Sequence, residues 1–337
     1  MVPVQTIGLR ELVDRACSPL PDVASPLGGA PCVVLRLEPA VRALAPEQEA
    51  LVTRWLARQA CPLIALAEGT AHATLQRACD VVLADAADLG PVLGNIHHSP
   101  LAAMVLVQVL RATEHLPVEQ GLVVESLAYA TLQGGPEFRR WLGGRVARTR
   151  PRAGDSGPAV IVDRAGDDVE MCLNRPSRRN ALSVEMRDGL CEALRLVAAD
   201  PSIRRARLRG AGVCFSAGGD LDEFGTAPDP ATAHAVRSLQ LPAAALRECI
   251  DRVEFHVHGA CIGAGAELPA FARRVQAARD AFFQLPEIRL GLIPGAGGCI
   301  SLPRRIGRQR TAYMGLSAAR IDASQALAWG LIDAIDD

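Results

Sequence analysis

Lysine is absent from the 337 residues; all 36 basic positions are Arg. A phosphate loop of the Walker type needs a Lys, as do Schiff-base and pyridoxal-phosphate enzymes, so those chemistries are excluded. Charge of one sign is also lacking: the formal net charge is -1. No basic surplus offers a footprint for nucleic acid or an acidic membrane, and neither is expected as a partner. Ten cysteines are present, but no two form a C-x-x-C pair; even Cys249 and Cys261, the closest, lie too far apart. Free, mostly buried thiols in a reducing, cytoplasmic setting are expected. Residues 1–30 lack a basic start followed by an apolar run, so no signal peptide is expected. No apolar stretch approaches the roughly 18–20 residues needed to span a bilayer. The dinucleotide pattern G-x-G-x-x-G is missing as well, which disfavours a Rossmann site. His97, His98 and His115 have no acidic or Cys partner at ligand spacing, and no metal site is expected.

Hydrophobic residues make up 49% of the chain and charged residues 22%, enough to bury a core and stay soluble. At about 100–200 residues per domain the length predicts two domains. The seam is the Gly-, Arg- and Pro-rich stretch 143–157. It divides the chain into a first domain at 1–142, a linker at 143–157 and a second domain at 158–337. After the linker, apolar strands at 159–162, 169–173, 206–208, 253–257 and 282–283 alternate with helices. Those helices are expected at 183–199, 233–249, from 264, at 296–305, 309–315 and 323–329. The first half shows a thinner version: strands at 32–37, 63–66 and 81–83, a helix at 47–59, then helices at 101–111, 119–132 and 136–142. Strand–helix alternation predicts an α/β fold.

Three Gly-rich clusters carry the chemistry: Phe215-Ser216-Ala217-Gly218-Gly219-Asp220-Leu221, then residues 258–267, then residues 285–298. Small residues at strand-to-helix turns leave backbone N–H groups free to bind developing negative charge. Two such turns facing each other would make an oxyanion hole. Glu267 lies three residues beyond Ala264, so helical spacing predicts its carboxylate near that turn's free amides. Glu287 follows Pro286 at the end of a strand. Both acids sit in apolar, Gly-rich surroundings where burial would raise a pKa and suit acid–base work. His256 and His258 flank the second cluster and are expected to be structural.

The stretch from about 159 to 335 resembles the crotonase superfamily, the enoyl-CoA hydratase/isomerase family. It carries Leu173-Asn174-Arg175-Pro176 and Asn180-Ala181-Leu182-Ser183. It also carries F-S-A-G-x-D-L at 215–221, G-x-x-x-G-x-G-x-E-L at 259–268 and P-E-I-x-L-G-x-x-P-G-A-G-G at 286–298. The resemblance implies a ββα superhelix, an acyl-CoA thioester as substrate, and coenzyme A present as part of that substrate with no permanently bound cofactor. It implies that the N–H groups of Gly219 and Ala264 hold the thioester oxygen. It further implies that Glu267 and Glu287 position a water and exchange its protons as it adds across the double bond. Gly295 resembles the backbone group that orients the acid or the water. Arg175, Arg178, Arg179, Ala181, Ala217, Asp220, Leu221 and Gly263 would line the CoA and substrate path, the arginines meeting its phosphates. A homo-oligomer, a trimer or a dimer of trimers, is implied too. Ala264 stands where Gly is common, Arg273 where Asp is common, and Pro269 falls close behind Glu267. Isomerisation, thioester hydrolysis, decarboxylation, a specialised dehydration, or CoA-thioester binding without turnover are the alternatives to hydration.

The first half resembles a degenerate copy of the same family. Residues 61–69 line up with 252–259, and 79–84 fit the family's next strand, but no glutamate stands at the position of Glu267 and no Pro-Glu pair follows. Its helical tail at 100–142 resembles the family's C-terminal helices, which do not follow residues 330–332 here. Those helices are expected to pack on the catalytic domain, in cis or on a neighbouring subunit.

Overall fold

A computed structural model describes residues 6–18, 24–38, 44–69, 72–145 and 154–336. Part of the expected linker, 146–153, lies outside the described residues. The first half opens with β1 (Thr6–Gly8), α1 (Leu9–Cys17), β2 (Val33–Leu37), α2 (Pro46–Ala57), β3 (Leu63–Ala67), α3 (Ala73–Ala78) and β4 (Val81–Leu83). The four strands form one parallel sheet in sequence order. Both faces are covered, so β3 and β4 are apolar throughout, β2 is apolar but for the exposed Arg36, and alternate residues enter different cores. Val33, Leu35 and Leu37 face α1 and α2. Val34, Ile64 and Leu66 face the helices that follow.

Those helices are α4 (Leu89–His98), α5 (Pro100–Thr113), α6 (Val118–Gln133) and α7 (Pro136–Gly143). They pack on the second half: α5 against α12 and α13, and α6 against α9 and α12, defined below. The hydrophobic core is therefore continuous from Cys32 to Ile332. The tail packs in cis, as one of the two expected arrangements required.

The second half runs β5 (Val160–Ala165), β6 (Asp168–Leu173), α8 (Val184–Ala199), β7 (Arg205–Gly210), α9 (Pro230–Leu239), α10 (Pro242–Arg247), β8 (Val253–Val257), β9 (Ala260–Ile262) and α11 (Ala264–Glu267). It continues with β10 (Arg274–Ala278), β11 (Phe282–Gln284), α12 (Gly298–Ile306), α13 (Arg308–Ser317), β12 (Ile321–Asp322), α14 (Ala323–Trp329) and β13 (Ala334–Asp336). The large sheet has the order β13-β10-β8-β7-β6-β5 and a small one the order β12-β11-β9. Only the β5–β6 hairpin of the large sheet is antiparallel; each other pairing needs a crossover, and the chain winds as a spiral of strands and helices. In the first half β1-β2-β3-β4 repeats the parallel run β6-β7-β8-β10.

Ser183 caps α8, its hydroxyl accepting from the Met186 N–H at 3.2 Å. Two expected helices are corrected. The one at 233–249 is two, because Pro242 has no N–H to continue α9 and instead starts α10. The one from 264 is a single turn: Pro269 opens a separate 3-10 turn, Pro269–Phe271. All ten cysteines are free and nine are buried, and burial pushes the Cys79 thiol up to about 12.

Candidate active site

Strand pairing brings the three Gly clusters together. Ser216 bridges to Cys261, Leu182 bridges to Gly219, and β9 lies beside β11. The first cluster therefore abuts the second, and the second abuts the chain that leads to Glu287. The Ala264 N–H is at the start of α11, where a helix has no internal acceptor. No described backbone carbonyl takes the N–H of Gly219 or Ala264. Both residues line a cavity of about 410 Å³, together with Glu267, Glu287 and Gly295.

Gly263 is the wedge between the acids. Its backbone has φ 51° and ψ -119°, which a side chain would strain. A Cβ there would lie 2.5 Å from Glu287 Oε1 and 3.8 Å from Glu267 Oε1. The two Oε1 atoms thus meet over one glycine. Glu267 is 2% exposed. Its Oε2 accepts from the N–H groups of Ala296 at 2.7 Å and Gly298 at 2.8 Å. This corrects the sequence expectation: the amides that hold Glu267 belong to the third cluster, not to the turn at Ala264. The i+3 spacing did not reveal that α11 ends at Glu267 and turns its side chain toward α12. Glu287 starts the 3-10 turn Glu287–Leu290, and its Oε2 is buried without a hydrogen-bond partner.

Burial is the largest influence on both carboxyls and pushes both upward. For Glu267 the amides of Ala296 and Gly298 and the charge of Arg237 pull the other way. For Glu287 the charge of Glu267 pushes further up, leaving it well above the carboxylate range. The pair therefore differs in kind: one carboxyl is held by donors, and the other has none on Oε2 and is favoured in its neutral form by burial and the charge of Glu267.

A second cavity, of about 650 Å³, shares Gly219 and Asp220 with the first and opens outward past Arg178, Arg179, Ala181, Ala217 and Leu221. These predicted residues do come together. Arg175 does not join them. Its guanidinium is spent on Glu185 and on the carbonyls of Gly157 at 3.0 Å, Asn174 at 2.7 Å and Pro158 at 3.2 Å. It clamps the start of β5 and is not free to meet a phosphate. Arg178 is exposed and pairs with the buried Asp220 at 2.9 Å.

Sequence reasoning missed the wall supplied by the first half. Tyr129 and Gln133 of α6 line the first cavity, and Trp141 and Arg145 line the second. A Cβ at Gly295 would overlap the Tyr129 ring, so glycine there lets α6 approach the site. The Arg237 guanidinium stacks 4.1 Å above that ring and donates to Gln133 Oε1 at 3.0 Å. The segment between the first Gly cluster and β8 also lines the cavity, through Thr226, Val236 and Leu241 among others. One signal could have pointed to α6: Glu125 stands alone in an apolar run, with Tyr129 and Gln133 one and two turns on.

The profile of the enoyl-CoA hydratase/isomerase family matches residues 168–337. The chain is 38% identical over 174 residues to 1,2-epoxyphenylacetyl-CoA isomerase of Escherichia coli, covering 50% of this chain and 66% of that protein. It is 38% identical over 173 residues to 2,3-dehydroadipyl-CoA hydratase of the same organism, covering 51% and 67%. Mevalonyl-coenzyme A hydratase of Beauveria bassiana is 33% identical over 171 residues, covering 48% and 61%. The match thus spans about two thirds of these relatives' lengths. Among solved structures, the enoyl-CoA hydratase of Thermoplasma volcanium superposes with a TM-score of 0.50 at 32% identity, over 54% of this chain and 73% of that one. An enoyl-CoA hydratase/isomerase of Mycobacterium paratuberculosis does so with a TM-score of 0.50 at 29% identity, over 55% and 75%. The chain belongs to the enoyl-CoA hydratase/isomerase family, the crotonases.

Proposed function

We propose that this chain adds water across the double bond of a 2-enoyl-CoA thioester. The observation that carries this reading is the meeting of two unlike carboxyls, Glu267 and Glu287, over Gly263 in a cavity lined by two uncommitted amides. The thioester oxygen lies against the N–H groups of Gly219 and Ala264. Water sits between the acids. Glu267 takes one of its protons as the oxygen bonds to C3, and the electron pair of the double bond moves into an enolate on the thioester oxygen. Glu287 then protonates C2. The proton on Glu267 restores Glu287, so one water is consumed and both acids return to their starting states. The CoA portion leaves through the second cavity, past Arg178 and Arg179.

The test is the loss of conjugated thioester absorbance when the full chain meets crotonyl-CoA, with product identification. Glu267→Gln and Glu287→Gln should each lower kcat by at least about 100-fold, the usual scale of a lost general acid or base. Full activity in both variants would refute the assignment. The same acids could instead carry a proton from C4 to C2. The family's own description as enoyl-CoA hydratase/isomerase motivates that second reading, and a shifted double bond without hydration would establish it.

A further inference from the structure

A third buried carboxyl lies behind the site and takes no part in the steps above. Glu125 of α6 is 1% exposed. Its Oε1 accepts from the Gly297 N–H at 2.7 Å and its Oε2 from the Cys299 N–H at 2.7 Å. Glu267 accepts from the intervening amides, Ala296 and Gly298. Four successive amides at the start of α12 are thus dealt alternately to two carboxylates, one from each half of the chain. These are donors that a helix start leaves without internal partners, at the positive end of its dipole.

Burial and the charge of Glu267 push the Glu125 carboxyl upward, and the amides of Cys299 and Gly297 and the charge of Arg237 oppose them. Both oxygens of Glu125 accept from N–H groups that cannot reverse roles, which suits an ionised carboxylate. Glu267 spends one oxygen on two amides and keeps Oε1 for water. Glu287 has a buried oxygen with no donor and suits the neutral acid. Among the described residues, the other charged or titratable groups facing Glu267 are Arg237 from α9, Tyr129 from α6 and the Cys299 thiol from α12. Arg237 supplies the compensating positive charge.

We propose that Glu125 is a positioning residue: as a negative charge on the amides of Gly297 and Cys299, alternate to those of Ala296 and Gly298 that hold Glu267, it sets where Glu267 sits and how readily it takes a proton. Glu125 does not line the cavity and touches no substrate. It acts through α12. Two anions divide one helix terminus, so each is stabilised less than it would be alone, and Glu267 is the stronger base for it. This rests on Glu267 being the base of the proposed reaction.

The test compares Glu125→Gln with Glu125→Asp in the full chain, by pH profiles of crotonyl-CoA turnover. Activity requires ionised Glu267, so the acid limb of the profile reports its protonation. Glu125→Gln removes the like charge; the limb should move to lower pH by about one unit, and kcat should fall about 10-fold with KM nearly unchanged. Glu125→Asp keeps the charge and should keep the limb. An unmoved limb in folded Glu125→Gln, or equal shifts in both variants, would overturn the proposal. Infrared spectra of the unmutated chain give a second, fold-independent reading. One buried protonated carboxyl at neutral pH, lost in Glu287→Gln, supports the assignment; a second that disappears in Glu125→Gln overturns it. Glu267→Gln separates the two levels: if that variant stays active, the reading of Glu267 as base fails first. If it is inactive while the limb ignores position 125, only the inference about Glu125 fails.

Discussion

Glu287 carries its proton at a cost to the folded chain. Its carboxyl is buried, has no donor on Oε2 and lies beside the charge of Glu267. The folded-state pKa is raised, so the native protein binds a proton that the unfolded chain has already released above its ordinary carboxyl range. The sign follows. This contribution to stability is fully present below the unfolded pKa and is lost as pH rises toward the folded one. Glu287→Gln is a neutral isostere and removes that dependence. Thermal unfolding at pH 8 should therefore show a higher Tm for Glu287→Gln than for the parent, with the gap narrowing toward pH 4.5; a lower Tm at pH 8 would contradict the neutral-acid assignment. The same residue was legible in the sequence because its motif, Pro-Glu followed by the 291–298 glycines, is local. Gly219, Ala264 and Glu267 were legible for the same reason. Glu125 and the partners of Arg175 were not. Their roles depend on amides and carbonyls brought in from elsewhere in the chain, Gly297 and Cys299 for one and Gly157, Pro158 and Glu185 for the other.

Among the elements, α6 links the two halves at the site. One face carries Glu125, Tyr129 and Gln133; one turn before Glu125, Gly121 lets the helix settle on α12. A Cβ at Gly121 would lie 2.7 Å from Ile300 Cγ1. Gly121→Val should therefore push α6 outward, at a cost of about 1–3 kcal/mol by overpacking. Urea unfolding measures that loss. Crotonyl-CoA turnover should fall as well, because Glu125 and Tyr129 move with the helix; a destabilised variant with unchanged turnover would detach α6 from the site. Helical periodicity and caps made most helices readable, α8 with its Ser183 cap above all. The misread ones were broken by Pro242 and Pro269, residues whose effect depends on whether they start a turn or interrupt one. Of the strands that went unread, β1, β9, β12 and β13 are two or three residues long, and β10 has five but buries only Val275 and Ala277. Too few side chains alternate in them to give a period, and pairing with distant strands defines them.

The molecule as a whole does not divide where its sequence has a seam. Asp80, at the end of the degenerate half's third helix, is 1% exposed and pairs with Arg111 of α5 and with Arg308 of α13, the latter at 2.9 Å. Asn95 of α4 donates to the carbonyls of Leu316 at 2.9 Å and Ser317 at 2.8 Å. Phe138 stacks on Trp141 at 5.6 Å, and Trp141 meets Phe224 at 6.0 Å beside the first cavity. A buried carboxylate shared by two guanidiniums is expensive to break, about 3–5 kcal/mol when one partner is removed. The apolar faces of α5 and α6 would be left in water if the halves parted. The first half is thus fixed in place by the helices it ends on, and those helices complete the second half. Two polypeptides, 1–145 and 154–337, preserve every one of these contacts while breaking the covalent link. Produced together, they should copurify and turn over crotonyl-CoA. The second alone should be inactive and aggregation-prone, since it lacks Glu125, Tyr129 and the cover over α12 and α13. An active, monodisperse 154–337 would mean that the first half contributes neither core nor site.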